Sequence, residues 1–326
     1  MLQQTQVSRV IPAFNRFIEA FPTISSLAAA DESRVLALWS GLGYYRRAKH
    51  LHQAAKAVMD RFDARVPTSL DDLLSLPGVG RYTAGAIASI AYNQPAPIVD
   101  GNVKRVLLRL HARETDPESP ATIRWTWDQA TTLVRSASAP AIFNEALMEL
   151  GATVCLAPPA RPRCDQCPLA RFCKSAAGAW QAIPRPKKLP APTDVFCVSF
   201  LARDRRGRVL IEQRPDTGMW ASMWQLPTLE SLDEFPTAEA LHAFAQMRSL
   251  TLVPPLPTSS ATPSALCFTH QTTHRTVHFL VAFASPVVCV RKSAMRQWAA
   301  IDDLSTLALS NAQRRAIALG LSHTRA

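Results

Sequence analysis

The fold of this chain is decided by the segment Leu76-Pro77-Gly78-Val79-Gly80-Arg81-Tyr82-Thr83-Ala84. Pro77 ends one short amphipathic helix, and a second helix is predicted from Arg81 to about Tyr92. Gly78 and Gly80 predict a tight hairpin between the two helices, with amide groups that no side chain covers. Such amides, together with the positive end of the following helix, bind a phosphate group without reading a base sequence. The alternative is a corner between two helices that needs glycine only for its geometry.

A carboxylate follows twenty residues beyond Gly80. Asp100 lies after a predicted loop, residues 92–97, and before a helix whose apolar side chains recur at helical spacing from Val103 to Leu110. This position is typical of an N-cap, whose side chain accepts a hydrogen bond from the first helical turn. A capping carboxylate can also face a pocket, so the two roles do not exclude each other.

Four of the seven cysteines cluster in a C-x8-C-x2-C-x5-C pattern after a predicted helix. They are Cys155, Cys164, Cys167 and Cys173. Four closely spaced thiols are typical of a metal or iron–sulfur site. Zinc is the alternative, but zinc sites usually contain two C-x2-C pairs and this segment contains one, which favours a [4Fe–4S] cluster.

Composition restricts the class of protein. The 326 residues suffice for two domains, and no apolar run approaches the length of a membrane span. The first residues do not form a signal peptide, and an odd number of cysteines indicates a reducing compartment. The net charge of +11 is spread over the whole length, as expected if both parts face a polyanion. We therefore expect a cytoplasmic protein.

The chain divides by pattern into three parts. Residues 1–180 are predicted to be helical, residues 181–192 form a linker rich in proline and lysine, and residues 193–321 are predicted to form an α+β domain. The expected helices are Val35 to Trp39, Ala48 to Arg61, Leu70 to Leu76, Arg81 to Tyr92, Val103 to His111, Trp125 to Arg135, Phe143 to Cys155 and Leu304 to Leu319. The expected strands are Val195 to Leu201, Val209 to Gln213 and Val277 to Phe283, with a hairpin turn at Arg205 to Gly207.

In this order, these features resemble the adenine DNA glycosylases of the MutY family, within the endonuclease III or helix-hairpin-helix superfamily. The resemblance extends from Met1 to about Leu321. It is carried by Met1 to Val7, Gly41 to Tyr45, Leu76 to Ile87, Asp100 to Val106 and the cysteine cluster. The resemblance implies a multidomain protein: an all-α helix-hairpin-helix glycosylase domain with an iron–sulfur cluster loop at residues 155–173, followed by an α+β Nudix-like domain.

The second domain resembles the Nudix-like recognition domain of the same family. The matching segments are Val209 to Pro215, Gly218 to Trp220 and Gln225 to Pro227. A Nudix hydrolase needs a glutamate-rich helix to hold its metal, whereas Thr228 to Phe235 carries only scattered acidic residues. We therefore expect this domain to bind its ligand and not to hydrolyse it.

The resemblance implies roles for three residues of a catalytic pocket. Asp100 would stabilise the positive charge that develops on the sugar, and Asn102 would hold a water molecule or phosphate nearby. Tyr82 would reach the same pocket, at the position where endonuclease III carries a lysine that attacks the sugar. Because a phenol cannot form a Schiff base, a monofunctional glycosylase is predicted. A packing role is the alternative for Tyr82.

Eight further residues are implied to contact the DNA duplex. Gln3 and Gln4 would probe the strand from which adenine is flipped, and Leu42 and Tyr44 would insert as a wedge beside the opposing lesion. Gly78 and Gly80 would bind the DNA backbone at the hairpin, and Thr273 and His274 would recognise 8-oxoguanine. The recognition loop of the family reads Phe-Ser-His, so Thr272 replaces its aromatic residue.

In this family the general acid is a glutamate two positions before the methionine that is Met1 here. We expect a start assigned to an internal methionine, in preference to a truly shortened protein, because the remaining motifs are intact. The sequence as given lacks that acid, and excision by it is expected to be slowed by about 10²–10⁴-fold.

The sequence thus predicts a monofunctional glycosylase that removes adenine opposite 8-oxoguanine or guanine in double-stranded DNA, as a monomer associated with the nucleoid. Two alternatives remain. One is a pyrimidine glycosylase with lyase activity like endonuclease III, against which Tyr82 and the second domain argue. The other is a catalytically inactive protein that binds mispairs, which the missing glutamate suggests.

Overall fold

The computed structural model describes residues 1–3, 5–176, 178–185, 191–254, 266–287 and 295–323. The chain forms two compact units, Met1–Ala55 together with Pro190–Ala326, and Lys56–Leu189. In the described part of the chain, no helix has both the length and the apolar character that crossing a membrane requires. The domain limits predicted at residues 180 and 193 stay a prediction.

The secondary structure follows the predicted change from helices to strands. The helices are α1 (Val7–Ala20), α2 (Ile24–Ala28), α3 (Glu32–Leu38), α4 (Arg46–Arg61), α5 (Leu70–Leu74), α6 (Arg81–Ala86), α7 (Gly101–Leu110), α8 (Pro120–Arg135), α9 (Pro140–Thr153), α10 (Ala238–Gln246) and α11 (Asn311–His323). The strands are β1 (Thr193–Ala202), β2 (Val209–Gln213), β3 (Trp224–Gln225), β4 (Thr228–Ser231), β5 (Leu250–Leu252), β6 (Cys267–Gln271), β7 (Arg275–Pro286) and β8 (Arg296–Ala299).

In the unit of residues 56–189, the core forms where α7 packs against α8 and α9. Val103 and Leu107 of α7 are fully buried and belong to one apolar cluster with Leu147 of α9. The two helices approach closely at Gly151, where an added Cβ would lie 2.6 Å from the Cβ of Asn102. A side chain at this position would push the first turn of α7 away from α9.

The hairpin joins α5 to α6 as predicted, with Gly78 at φ +74°. The helix that begins at Arg81 continues beyond α6 as a π-helical turn, Ile87–Ala91, which matches the predicted length. The loop that leads to Asp100 passes directly over α6, because Gly85 has room for no Cβ: one built there would lie 2.1 Å from the carbonyl oxygen of Pro97.

The same loop is fixed from α9. The side-chain amide of Asn144 is buried and donates to the carbonyl oxygen of Ala96 (2.9 Å) and to the hydroxyl of Ser89 (2.8 Å). Because a buried amide is costly to leave unpaired, these bonds specify one path for the loop. The residue at the end of that path is Asp100.

In the other unit, residues 191–323 form two sheets. One has the order β4-β1-β7-β5, with β6 also paired to β7, and the other has the order β3-β2-β8. The side chains of β1 alternate between two apolar cores, since Cys197 and Leu201 pack with Ile317 of α11, whereas Val198 and Phe200 pack on the opposite face. On that opposite face the sheet is covered by α10.

The first three helices, α1 to α3, share an apolar cluster with residues from the end of the chain. Phe17, Val35 and Trp39 are buried in this cluster, and so are Met223 and Ala308. The cluster is therefore built from segments almost 300 residues apart in the sequence.

One predicted helix is corrected. Leu304 to Leu319 is not continuous: a 3₁₀ turn covers Asp302–Thr306, and α11 begins only at Asn311. Between them the chain is extended, because the carbonyl oxygen of Ala308 accepts the amide of Trp224 at 2.8 Å. The hydroxyl of Ser310 then accepts the amide of Gln313 (3.2 Å), which starts the new helix.

Candidate active site

Asp100 is the N-cap of α7, as predicted. One carboxylate oxygen, Oδ1, accepts the backbone amide of Val103 at 2.7 Å, and the other, Oδ2, accepts the side-chain amide of Asn102 at 3.0 Å. The residue is half-buried. Because each oxygen accepts one bond from a different direction, the carboxylate has a fixed orientation and keeps free lone pairs.

Tyr82, on the first turn of α6, lies close enough to Asp100 for the two to interact electrostatically. Burial raises the pKa of the Tyr82 phenol, and the negative charge of Asp100 raises it further. Its hydroxyl points towards the sulfur of Met148 on α9, at 3.9 Å. The phenol therefore stays protonated at neutral pH and can donate a hydrogen bond.

Asn102 is held from behind by Arg105, a residue that the sequence analysis did not single out. The Nη2 atom of Arg105 donates to Oδ1 of Asn102 (2.9 Å) and to the carbonyl oxygen of Gly151 (2.7 Å), and Nε donates to the carbonyl oxygen of Cys155 (2.8 Å). Burial lowers the pKa of this arginine, and Cys155 opposes that shift. The hydrogen bonds thus run without a break from Asp100 to the backbone of the first cysteine.

Arg109, one turn further along α7, connects the helix with the cysteine segment. It is only 2% exposed, and its Nη1 atom donates to the carbonyl oxygen of Leu156 (2.8 Å) and lies 3.4 Å from the sulfur of Cys155. Its backbone carbonyl accepts the hydroxyl of Ser175 at 2.6 Å. The sequence signal that could have identified Arg105 and Arg109 is their spacing: two arginines lie four residues apart within a helix whose other residues are mostly apolar.

The four predicted cysteine ligands lie around one cavity, but their side chains are not grouped as the ligands of a metal ion would be. Cys155, Cys164, Cys167 and Cys173 line one cavity next to Arg109 and Trp180. Burial raises the pKa of Cys164, and the charges of the other three thiols raise it further. Within the described residues, no group of three or more His, Cys, Asp or Glu side chains is arranged to hold a metal ion.

At the hairpin, Gly80 is the N-cap of α6, with extended backbone angles. The amides of the first helical turn have no partner inside the helix and point towards its N-terminal end. Beside them, the guanidinium of Arg81 lies 4.1 Å from the centre of the Trp127 ring. The hairpin therefore places the N-terminal end of α6 next to a positive charge. Phosphate binding by Gly78 and Gly80 stays a prediction.

The predicted wedge and the predicted recognition loop meet in the other unit. The hydroxyl groups of Tyr44 and Thr273 are 3.0 Å apart and form a hydrogen bond. Tyr44 is 46% exposed, whereas Leu42 is only 6% exposed and packs in the core of the first helices. Of the two predicted wedge residues, Tyr44 alone presents an accessible side chain. Gln3 is exposed, and Gln4 lies outside the described residues.

The recognition loop is a tight turn between β6 and β7. The amide of Thr272 donates to the carbonyl oxygen of Arg275 (2.8 Å), and the amide of Arg275 donates to the hydroxyl of Thr272 (3.0 Å). The turn thus gives the hydroxyl at position 272 a structural role that an aromatic residue could not fulfil. Thr273 and His274 are exposed at its tip.

Two family profiles match separate parts of this chain. Residues 1–128 match the profile of the HhH-GPD superfamily of base excision DNA repair proteins, and residues 198–319 match the NUDIX domain. A helix-hairpin-helix part followed by a Nudix part defines the class of protein. A thermostable thymine-DNA glycosylase of known structure is also similar, at a TM-score of 0.49 and 25% identity over 54% of this chain and 80% of its own.

The curated relatives narrow the class. The adenine DNA glycosylase of Rattus norvegicus is 37% identical over 70% of this chain and 52% of its own length. The human enzyme, from Homo sapiens, is 36% identical over 70% of this chain and 50% of its own length. The enzyme of Mycolicibacterium smegmatis is 47% identical over 55% of this chain and 59% of its own length. The chain is thus similar to curated adenine DNA glycosylases over more than half of its length. It spans about half the length of the mammalian relatives that it matches.

Proposed function

We propose that this protein is a monofunctional DNA glycosylase that removes adenine paired with 8-oxoguanine or guanine in double-stranded DNA. The observation that carries the proposal is the fixed carboxylate of Asp100 with a protonated phenol beside it and no lysine at the position of Tyr82. The names of the relatives supply the base, adenine.

The target nucleotide must first leave the base stack, because its glycosidic bond cannot be reached inside the duplex. Bond cleavage then develops positive charge on the sugar, and the Asp100 carboxylate stabilises that charge from a direction set by its two hydrogen bonds. No ordering of the carboxylate is needed during the reaction, since the cap already orients it.

Tyr82 acts as a hydrogen-bond donor in this scheme. Its raised pKa keeps the proton on the hydroxyl group at neutral pH, so the phenol can hold a phosphate or water oxygen near the sugar. Because no Schiff base forms through a phenol, the product is an abasic site in an uncut strand. Protonation of the departing adenine requires an acid as well, and the glutamate expected from the family remains a prediction.

We also propose that the four clustered cysteines hold a [4Fe–4S] cluster. Their convergence on one cavity supports this, and so does Arg109, whose guanidinium lies against Cys155 and whose Nη2 is buried without a protein partner. A positive group of this kind stabilises thiolate ligands. The cluster would fix the fold of residues 155–173, which carry the basic side chains Arg161, Arg163 and Arg171.

The test is a panel of duplexes that contain 8-oxoguanine:adenine, guanine:adenine, 8-oxoguanine:cytosine or an oxidised pyrimidine opposite guanine. We expect alkali-labile abasic sites on the adenine strand of the first two, no strand cleavage without alkali, and no covalent adduct with borohydride. A borohydride adduct, or cleavage of the duplex with the oxidised pyrimidine, would favour a pyrimidine glycosylase with lyase activity. If the protein with its native N-terminus binds mispairs tightly but releases no base, it is instead a catalytically inactive mispair-binding protein.

The cluster has an independent test. The purified protein is expected to absorb visible light and to contain about four iron atoms per chain. A Cys164→Ser variant is expected to lose that absorption. A stoichiometric zinc content with no iron or sulfide would contradict the assignment.

A further inference from the structure

Arg47, at the start of α4, binds the N-terminal segment through its guanidinium group. Nη1 donates to the carbonyl oxygens of Met1 (3.1 Å) and Gln3, and Nη2 donates to the hydroxyl of Thr5 (3.0 Å). Nη2 also lies 3.5 Å from the carbonyl oxygen of Gly43. One planar group thus joins the segment that carries the predicted probe Gln3 to the loop that carries the predicted wedge.

The same guanidinium stacks on aromatic rings of that loop. Its central carbon lies 5.0 Å from the centre of the Tyr44 ring and 5.7 Å from that of Trp39. The indole of Trp39 in turn donates to the carbonyl oxygen of Gly43 at 3.1 Å. Arginine can make these contacts together because its flat guanidinium stacks while its edge donates hydrogen bonds.

The loop needs such support, because its backbone is unfavourable. Tyr44 has a φ angle of +47°, which a tyrosine rarely adopts, and it is flanked by Gly41 at +94° and Gly43 at +69°. A conformation of this kind persists only where the surroundings impose it. Arg47 contacts both the backbone before Tyr44 and the ring of Tyr44, so it acts on the two features that define the wedge.

Through Tyr44 the support extends to the recognition loop, since the Tyr44 hydroxyl is hydrogen-bonded to Thr273. No carboxylate pairs with Arg47 among the described residues, so its position is set by carbonyl dipoles and rings and not by an ion pair. Apart from Trp39, the contacts of Arg47 lie in the two segments that carry the predicted probe and the predicted wedge.

We propose that Arg47 is a positioning residue for lesion discrimination: it fixes the N-terminal probe and the Tyr44 wedge relative to each other and, through Tyr44, to the Thr273 turn. The inference rests on the proposed function and goes beyond it. Because the probe, the wedge and the turn are ordered before DNA binds, less conformational freedom is lost on binding. The resulting gain in affinity is largest for the duplex that contacts all three.

The experiment measures the ratio of two dissociation constants, that for a guanine:adenine duplex divided by that for an 8-oxoguanine:adenine duplex, with excision blocked by Asp100→Asn in every protein. Arg47→Lys keeps the charge and removes the stacking plane and the fork of donors. We expect it to reduce the ratio by about 10-fold, while the melting temperature of the free protein changes little. Arg46→Lys, on the exposed neighbouring position, is the control and is expected to keep the ratio.

A double mutant identifies the route. If Arg47 acts through Tyr44 and Thr273, Arg47→Lys adds little to the loss of discrimination caused by Thr273→Val. Fully additive losses, or an Arg47→Lys protein that binds both duplexes equally more weakly or melts at a much lower temperature, overturn the inference. A starting protein that binds the two mispairs no better than paired DNA overturns the proposed function, and the inference with it.

Discussion

Asp100 caps α7, and we propose that it also stabilises the sugar cation, so a single substitution can separate the two roles. Asparagine caps a helix about as well as aspartate, whereas it carries no charge to stabilise the sugar cation. We therefore expect Asp100→Asn to keep the free energy of unfolding within about 0.5 kcal/mol of the unmodified protein. Excision is expected to slow by at least about 10²-fold, a loss typical for removal of one preorganised electrostatic contact.

Asp100→Ala is the matched comparison. It also removes the cap and leaves the side chain of Asn102 without its acceptor, so a loss of about 1 kcal/mol of stability is expected in addition to the loss of activity. Denaturant unfolding and single-turnover excision on the same three proteins provide both quantities. An Asp100→Asn protein that excises at the original rate would remove Asp100 from the mechanism.

At the scale of elements, helix α7 connects two parts of the site. Its N-cap is Asp100, and Arg109 near its other end binds the cysteine segment. The contact of Gly151 with Asn102 sets the position of α7 against α9. We expect Gly151→Ala to destabilise the protein by about 1–3 kcal/mol, since the new Cβ overlaps that of Asn102 and the helix must move. Excision is expected to fall with it.

Gly101→Ala is the control on the other side of this contact. Gly101 is helical and has no atom within 4 Å of a built Cβ. Alanine should therefore be neutral or stabilise the helix by up to about 1 kcal/mol. If both alanine variants have the same melting temperature, the close approach of α9 does not position α7.

The sequence predicted the elements whose causes are local. The hairpin glycines, the cap at Asp100 and the apolar spacing of α7 are all read within a few residues, and each was confirmed. The continuous helix predicted at Leu304 to Leu319 was wrong, because pairing of Ala308 with Trp224 overrides the local preference. Local patterns do not contain such distant partners.

The candidate site divides in the same way. The family resemblance implied the roles of Asp100, Asn102 and Tyr82, which stay predictions, and the cysteine spacing predicted the cluster. The buried links that hold them, from Arg105 to Gly151 and from Arg109 to Leu156, join positions about fifty residues apart and follow only from the packing of α7 on α9. The accessibility of Tyr44 and the burial of Leu42 depend on the fold of a glycine-rich loop with positive φ angles.

For the molecule as a whole, stability should depend on pH in the alkaline range. Burial raises the pKa of the Cys197 thiol from 9.0 to about 12, and the negative charge of Glu230 adds to this shift. The unfolded chain releases this proton near pH 9, whereas the folded protein retains it. The protonated thiol of Cys197 therefore contributes fully to the free energy of unfolding below pH 9. This contribution is lost as the pH rises towards 12, at about 1.4 kcal/mol per pH unit.

Denaturant unfolding across the alkaline range measures this slope. Cys197→Ala is expected to be less stable at neutral pH, because it leaves a small cavity in the core of β1, and to show a flatter decline above pH 9. Cys267→Ala, on the exposed side of β6, is expected to keep the original slope. Identical slopes for both variants would show that another group dominates the alkaline loss.

We propose that this protein releases adenine through the Asp100 carboxylate. The most direct test is chromatography and mass spectrometry of the free base released in a single turnover from an 8-oxoguanine:adenine duplex, for the protein with its native N-terminus and for Asp100→Asn. We expect free adenine from the first protein and almost none from the second. Release of a different base, or of adenine at equal rates from both proteins, would contradict it.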